Sequence, residues 1–145
     1  MPAFSGSFSG ALNMQTSLTV PDGRNHPLSL AEVRGVQQCT DPQWDGVRIS
    51  YVAVTDLIGG EGSQRGYYGH ERENGDRDWG TFEGRVTTRG AEVVVEGTWA
   101  AGGGTGVFDG ITGGGTFTTI MTASGAVSAK WQGSYELASR KAQAG

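Results

Sequence analysis

Glycine breaks this chain into short runs at nearly regular intervals, and few folds accommodate that much backbone freedom. There are 26 glycines in 145 residues and only 4 prolines. They follow no collagen-like period, so they act as turns and bulges. Turn signals fall at Asp22-Gly23, Asp45-Gly46, Gly59-Gly60, Asn74-Gly75, Arg89-Gly90, Gly102 to Gly104, Gly113 to Gly115 and Ser124-Gly125. The intervening runs are about ten residues long, the spacing of a meandering antiparallel barrel. Strands are predicted at about 4–18, 29–40, 47–58, 63–72, 78–88, 91–101, 115–123 and 127–138, with no helix. The expected fold is all-β: a single eight-stranded antiparallel β-barrel over residues 1–138, followed by a small, polar, flexible tail at 139–145.

The last run shows the pattern most cleanly. Val127, Ala129, Trp131, Tyr135 and Leu137 alternate with Ser128, Lys130, Gln132, Ser134 and Glu136, a period of two that leaves one face wet. The segment from Gly102 to Gly114 is too rich in glycine to pair throughout. It is expected to cross one barrel end with Val107, Phe108 and Ile111 beneath it. It carries neither a dinucleotide-binding nor a phosphate-loop motif, so its glycines are read as turns.

Composition removes several classes of function. The net charge is −4 and the 11 lysines and arginines are scattered singly, so no basic footprint invites nucleic acid. No window approaches the ~18 apolar residues of a membrane span, and the first residues lack a basic, then apolar, leader pattern. A soluble, cytoplasmic protein is expected. Cys39 is the one cysteine, without an internal disulfide partner, and reads as a small buried hydrophobe. His26, beside Pro27, and His70 have no partners at metal-ligand spacing, and no serine sits in a nucleophile elbow. No metal and no cofactor are expected.

Hairpin register decides which residues face inward. A two-residue turn at Asn74-Gly75 pairs Glu71 with Asp78, Gly69 with Gly80 and Tyr67 with Phe82. One face then carries Arg65, Tyr67, Glu71, Asp78, Phe82 and Val86, and the other carries His70, Arg72, Trp79, Glu83 and Arg85. A turn at Arg89-Gly90 continues the apolar face through Val93, Val95 and Trp99 and sets Glu83 opposite Glu96, an arrangement tolerable only in water. The face with Phe82 is therefore the interior. Glu71 lies on it beside Asp78, and an even Gly59-Gly60 turn adds Arg48 and Ser50. Two carboxylates in low dielectric raise one another's pKa, which makes Glu71 a candidate general acid or base. The alternative is an ion pair of Glu71 with Arg48 or Arg65 that neutralises a barrel end.

Two stretches together resemble the allene oxide cyclase-like, calycin-like barrel superfamily, in particular its small bacterial members of unknown function. They are Gly69, Glu71 and Arg72 on one strand, then Gly97, Thr98 and Trp99, followed by Gly104, Thr105, Gly106, Phe108, Gly110, Ile111, Gly113, Gly115 and Phe117. The resemblance implies an eight-stranded barrel with an apolar interior, often oligomeric, of the kind that serves cofactor-independent cyclases or isomerases of oxidised fatty acids. Fold similarity does not carry activity across.

The function expected is a small-molecule-binding barrel that encloses an apolar or aromatic ligand and steers its cyclisation or isomerisation. Glu71 is the catalytic candidate, Tyr67, Arg65 and Arg48 orient a polar end, and Trp99 and Trp131 hold the apolar part. Two other readings stay open: a non-catalytic carrier or sensor of a hydrophobic molecule, and a structural barrel filled by its own side chains. The partner expected is a hydrophobic small molecule, with a homo-oligomer as a further possibility.

Overall fold

The computed structural model describes residues 3–138, and the expected tail at 139–145 lies outside them. The chain closes into an antiparallel barrel whose strands follow one another in sequence order, the eighth returning to pair with the first. The strands are β1 (Ala3–Thr19), β2 (Pro27–Cys39), β3 (Arg48–Ile58), β4 (Glu61–Glu71), β5 (Arg77–Arg89), β6 (Glu92–Gly104), β7 (Thr112–Met121) and β8 (Ala126–Glu136). Each lies within a few residues of its expected place, because turn glycines mark both ends of nearly every run. Between β6 and β7 a 3-10 turn, Gly106–Phe108, folds over one end, with Phe108 and Ile111 buried and Val107 exposed. No helix among the described residues is long and apolar enough to cross a membrane.

Glycine also does a second job, inside the strands. Inward-pointing glycines leave room for aromatic rings that lean across from neighbouring strands. A Cβ on Gly6 would lie 2.6 Å from Cζ2 of Trp131, one on Gly133 2.6 Å from Cζ2 of Trp99, and one on Gly66 2.8 Å from Cζ of Phe82. At Gly80 it would run into the ring and hydroxyl of Tyr68 and the carbonyl of Ala100. Glycines also face each other across strands, as Gly10–Gly35, Gly84–Gly97 and Gly115–Gly133. A Cβ on Gly35, Gly97 or Gly115 would sit 2.9, 2.5 or 2.6 Å from the partner's Cα. Such close backbone approach lets the sheet curl into closure.

The β4–β5 register differs from the expectation by one residue. The loop holds three residues, Glu73-Asn74-Gly75, not two. The Gly75 N–H donates to the Arg72 carbonyl (2.9 Å), the Arg72 N–H donates to the Asp76 carbonyl (3.1 Å), and Gly75 takes φ +89°. That is a turn closed by a left-handed glycine, the usual three-residue hairpin. Asn74 supports it by accepting from the Asp76 N–H at 2.9 Å. Consequently Glu71 pairs with Arg77, His70 with Asp78, Tyr68 with Gly80 and Tyr67 with Thr81. A slip of one residue exchanges the faces of a whole strand. On β4 it turns Gln64, Tyr68 and His70 inward, and Arg65, Tyr67 and Glu71 outward.

Strand β5 keeps its expected faces: Asp78 and Val86 are buried, while Glu83 and Arg85 are exposed. Across to β6 the two-residue loop is Gly90-Ala91, not Arg89-Gly90, with Gly90 (φ +63°) in first position. The shift is even, so Val95 is buried and Glu96 exposed, as expected; Val93 and Trp99 are half-buried where full burial was expected, and Val94, on the other face, is buried as well. The cross-strand neighbours do change: Phe82 faces Trp99, Val86 faces Val95, and Arg85, not Glu83, faces Glu96. An opposite-sign pair thus replaces the expected like-charge pair. The Gly59-Gly60 turn has two residues, both with positive φ, and puts Arg48 on the face of Glu71, as expected, directly opposite it. Both side chains, however, are on the outside.

The inward glycines make a direct prediction. Gly80→Ala should lower stability by about 1–3 kcal/mol, the cost of overpacking. Gly69 faces outward on β4 with nothing within 4 Å of a Cβ, so Gly69→Ala should stay within about 0.5 kcal/mol of the parent or gain slightly. Urea unfolding of the two variants measures the difference, and equal losses would show that the inward position is not what matters.

Candidate functional site

The barrel interior holds two apolar clusters. Phe4, Trp44, Phe108, Ile111, Tyr135 and Leu137 fill one, with Trp99 and Trp131 packed against it. Val33, Tyr51, Ala53 and Val127 form the other, with Phe8, Tyr68 and Phe82 alongside. A cavity of about 90 Å³ is lined by members of both. Its walls are mainly aromatic, and its polar lining comes from Gln37, Gln64, His70, Asp78 and Thr119. Compared with a ~150 Å³ engineered cavity that binds benzene, this one suits a molecule of a few heavy atoms.

The loop between β2 and β3 closes one end. Trp44 from this loop stands inside the barrel at 2% exposure, 4.9 Å from the ring of Phe4, 4.7 Å from Tyr135 and 5.4 Å from Phe108. The loop is held by Asp41, which accepts a short hydrogen bond from the Tyr135 hydroxyl. Arg72, at the tip of β4, lays its guanidinium over Phe108, 3.8 Å from the ring centre, and donates through Nε to the Gln43 carbonyl at 2.8 Å. A cation on an aromatic face and a carbonyl on its edge fix this side chain.

Asp78 gathers the polar groups beneath this plug. Its carboxylate accepts from Arg72 Nη1 at 2.8 Å, from His70 Nδ1 at 3.0 Å, and from Trp44 Nε1 at 3.2 and 3.3 Å to its two oxygens. Burial pushes its pKa up, but the hydrogen bond from His70, with the charge and hydrogen bond of Arg72, outweighs that and holds the carboxyl below the usual range. An ionised carboxylate only accepts, so the His70 proton facing it is on Nδ1. The opposite nitrogen, Nε2, is buried and has no protein partner, and in the neutral ring it is a lone pair. A base oriented by a second group, with its free nitrogen at a cavity wall, is an arrangement suited to moving protons. Tyr51 and Tyr68 line the same cavity, and burial pushes both phenols well up, so they remain hydroxyl donors.

The residues expected to form the site divide between the two faces. Trp99 and Trp131 line the cavity, their rings 5.9 Å apart and edge to face. Glu71, Tyr67, Arg65 and Arg48 lie outside: Tyr67 is 68% exposed, and the side chains of Glu71 and Arg48 are 48% and 71% exposed. Glu71 sits 3.7 Å from both Arg48 and Arg77, so it pairs with Arg48 as its alternative reading had it, but on the outer surface and with Arg77 in place of Arg65. The inward placement of these four followed from the two-residue turn and falls with it. His70 and Arg72, placed outside by that turn, belong to the site. Face composition signals this in the sequence: the correct register puts Gln64, Gly66, Tyr68 and His70 inside, and the other buries Arg65 and Glu71.

The second histidine has a structural role. His26 is buried under the β1–β2 connection, with Nδ1 2.7 Å from Asp22 and Nε2 in a short hydrogen bond with Asp56. Asp22 first, and Asp56 with it, raise its pKa. Its contribution to stability is therefore full below the ordinary imidazole value of about 6.5 and is lost as pH rises through the raised one. Among the described residues no group of three or more His, Cys, Asp or Glu is placed to hold a metal ion. Cys39 is half-buried against the first cluster, and burial raises its thiol pKa.

Asp78 ties the site to stability. Its carboxyl is lowered in the folded barrel, so its contribution is complete above the ordinary carboxylate value of about 4 and is lost as pH falls through the lowered one. Asp78→Asn strands Arg72 and should cost about 3–5 kcal/mol at neutral pH. In urea titrations the gap between parent and Asp78→Asn should narrow below about pH 4. A gap that stays constant down to pH 2 would mean that Asp78 carries no lowered pKa.

Comparison with known proteins adds no assignment: no family model matches the chain, and no curated protein or solved structure matches it.

Proposed function

We propose that the barrel encloses a small, largely apolar molecule of a few heavy atoms in its interior cavity and moves a proton on it without a cofactor. His70 acts as the base and Asp78 as the residue that positions it. The observation that carries this reading is the buried, unpartnered Nε2 of His70 at the wall of an aromatic cavity, with Nδ1 held by Asp78. The Nε2 lone pair takes a proton from a carbon acid, and the C–H electron pair stays on the ligand as a delocalised anion. The imidazolium then returns the proton to another carbon. The sum is an isomerisation, with nothing oxidised or reduced. General acid–base transfer of this kind is worth about 10²–10⁴ in rate.

Membership of the allene oxide cyclase-like superfamily is part of the proposal. It rests on the Gly97-Thr98-Trp99 strand and the glycine-rich segment from Gly104 to Phe117, and it fits cofactor-free isomerisation or cyclisation within an apolar barrel. Trp99 and Trp131 keep the role of walls for the apolar part of the ligand. Glu71 and Tyr67, on the outer face, take no part in proton transfer inside the cavity.

The test uses acetone, a carbon acid of a few heavy atoms, in D₂O, with exchange of its α-protons followed by NMR. The protein should accelerate exchange, and His70→Gln, which keeps a polar side chain but not the base, should lose about a hundredfold or more with circular dichroism unchanged. Full exchange in His70→Gln would remove His70 as the base. Binding without His70-dependent exchange would favour the carrier reading instead.

A further inference from the structure

Among the described residues, four buried side-chain polar atoms have no partner: His70 Nε2, Gln37 Nε2, Trp131 Nε1 and Arg72 Nη2. Arg72 stacks on Phe108, does not line the cavity, and shares its charge with Asp78. The other three all belong to cavity-lining residues. Gln37 and Trp131 are N–H donors, and leaving a buried donor unsatisfied costs about 1–3 kcal/mol each.

The two donors stand on either side of β1. Gln37 pairs across to Phe8, and Trp131 pairs across to Gly6, one inward step along the same strand. Gly6 offers no side chain, and the indole lies over it. A Cβ there would be 2.9 Å from Cε2, the carbon that carries Nε1. The indole of Trp131 thus lies over β1, and Gln37, on the next strand, is 1% exposed and lines the same cavity. Only a glycine at position 6 allows that approach.

Charge narrows the ligand further. Among the described residues the lining holds one carboxylate, Asp78, and no free cation. An anionic ligand would bring a second negative charge beside Asp78 with nothing to neutralise it, at a heavy desolvation cost. A neutral oxygen acceptor meets no such penalty.

Resting on the function proposed above, we infer that the ligand is a small, neutral, carbonyl-bearing molecule, not a carboxylate. Its oxygen is held by the Trp131 and Gln37 N–H groups, and an acidic C–H faces His70 Nε2. The two donors stabilise the negative charge that develops on oxygen when the proton leaves carbon, so they assist the transfer as well as binding. The C–H pair forms the C=C bond, the carbonyl π pair moves to oxygen, and the proton travels on His70.

Three probes of the same size and branching separate the possibilities: acetone, 2-methylpropene and acetate, with dissociation constants from NMR shifts of the protein. The ratio of ketone to hydrocarbon affinity should fall about fivefold or more in Gln37→Met and in Trp131→Phe, as one hydrogen bond is lost. The carboxylate should bind at least about tenfold more weakly than the ketone. The ratio measured on the parent protein and on whichever variant folds is sufficient. Hydrocarbon binding with an unchanged ratio, or a carboxylate that binds more tightly than the ketone, would overturn the ligand class and leave cavity binding in place. No binding of any of the three would overturn both readings.

Discussion

The space inside eight strands is the constraint on which this protein depends. A barrel of that size has room for side chains and little more, yet here Trp44, Trp99, Trp131, Tyr51, Tyr68, Phe4, Phe8, Phe82 and Phe117 all point into it. They fit because the strands place glycine where each large ring must lie: Gly6 under Trp131, Gly66 under Phe82, Gly80 under Tyr68 and Gly133 under Trp99. Large groups laid over small ones keep the wall closed and still leave a cavity of about 90 Å³. Without those glycines the same rings would have to push the strands apart, and the cavity would lose its shape.

Within that apolar space, a single carboxylate organises the polar chemistry. Asp78 is buried on β5, and its cost is met by Arg72 and His70 from β4 and by Trp44 from the β2–β3 loop. The same contacts serve packing and site geometry together. Trp44 plugs the barrel end while donating to Asp78, Arg72 braces the plug through Phe108, and His70 is turned so that its second nitrogen remains available. A network that leaves His70 Nε2 and Arg72 Nη2 without partners is costly to build for stability alone, because each buried unpaired atom is a loss. Of the two residues, His70 lines the cavity.

The outer surface is simpler. Arg48, Glu71 and Arg77 form exposed ion pairs at one barrel rim, the sort that contribute little to stability. At the opposite end, His26 joins Asp22 of the β1–β2 connection to Asp56 of β3. That link fixes a connection that strand pairing alone would leave loosely attached.

The sequence by itself determined the barrel: eight strands, their order, their limits to within a few residues, and the inward faces of β5, β6 and β8. Period-two alternation and turn glycines are local signals, and local signals survive in a single sequence. It also determined that Trp99 and Trp131 would be interior. The inward face of β4 was decided by the tertiary structure, the charges of Arg65 and Glu71 being the one hint of it along the strand. Asn74-Gly75 serves equally as a two-residue turn or as the end of a three-residue loop, and the difference of one residue exchanges Glu71 and Tyr67 for His70 and Tyr68. What settles it is long-range: in the chosen register His70 and Arg72 reach Asp78 beneath Trp44, a residue 34 positions away from that carboxylate. No pattern along the chain encodes that meeting, because it depends on closure of the barrel bringing three separate segments to one end.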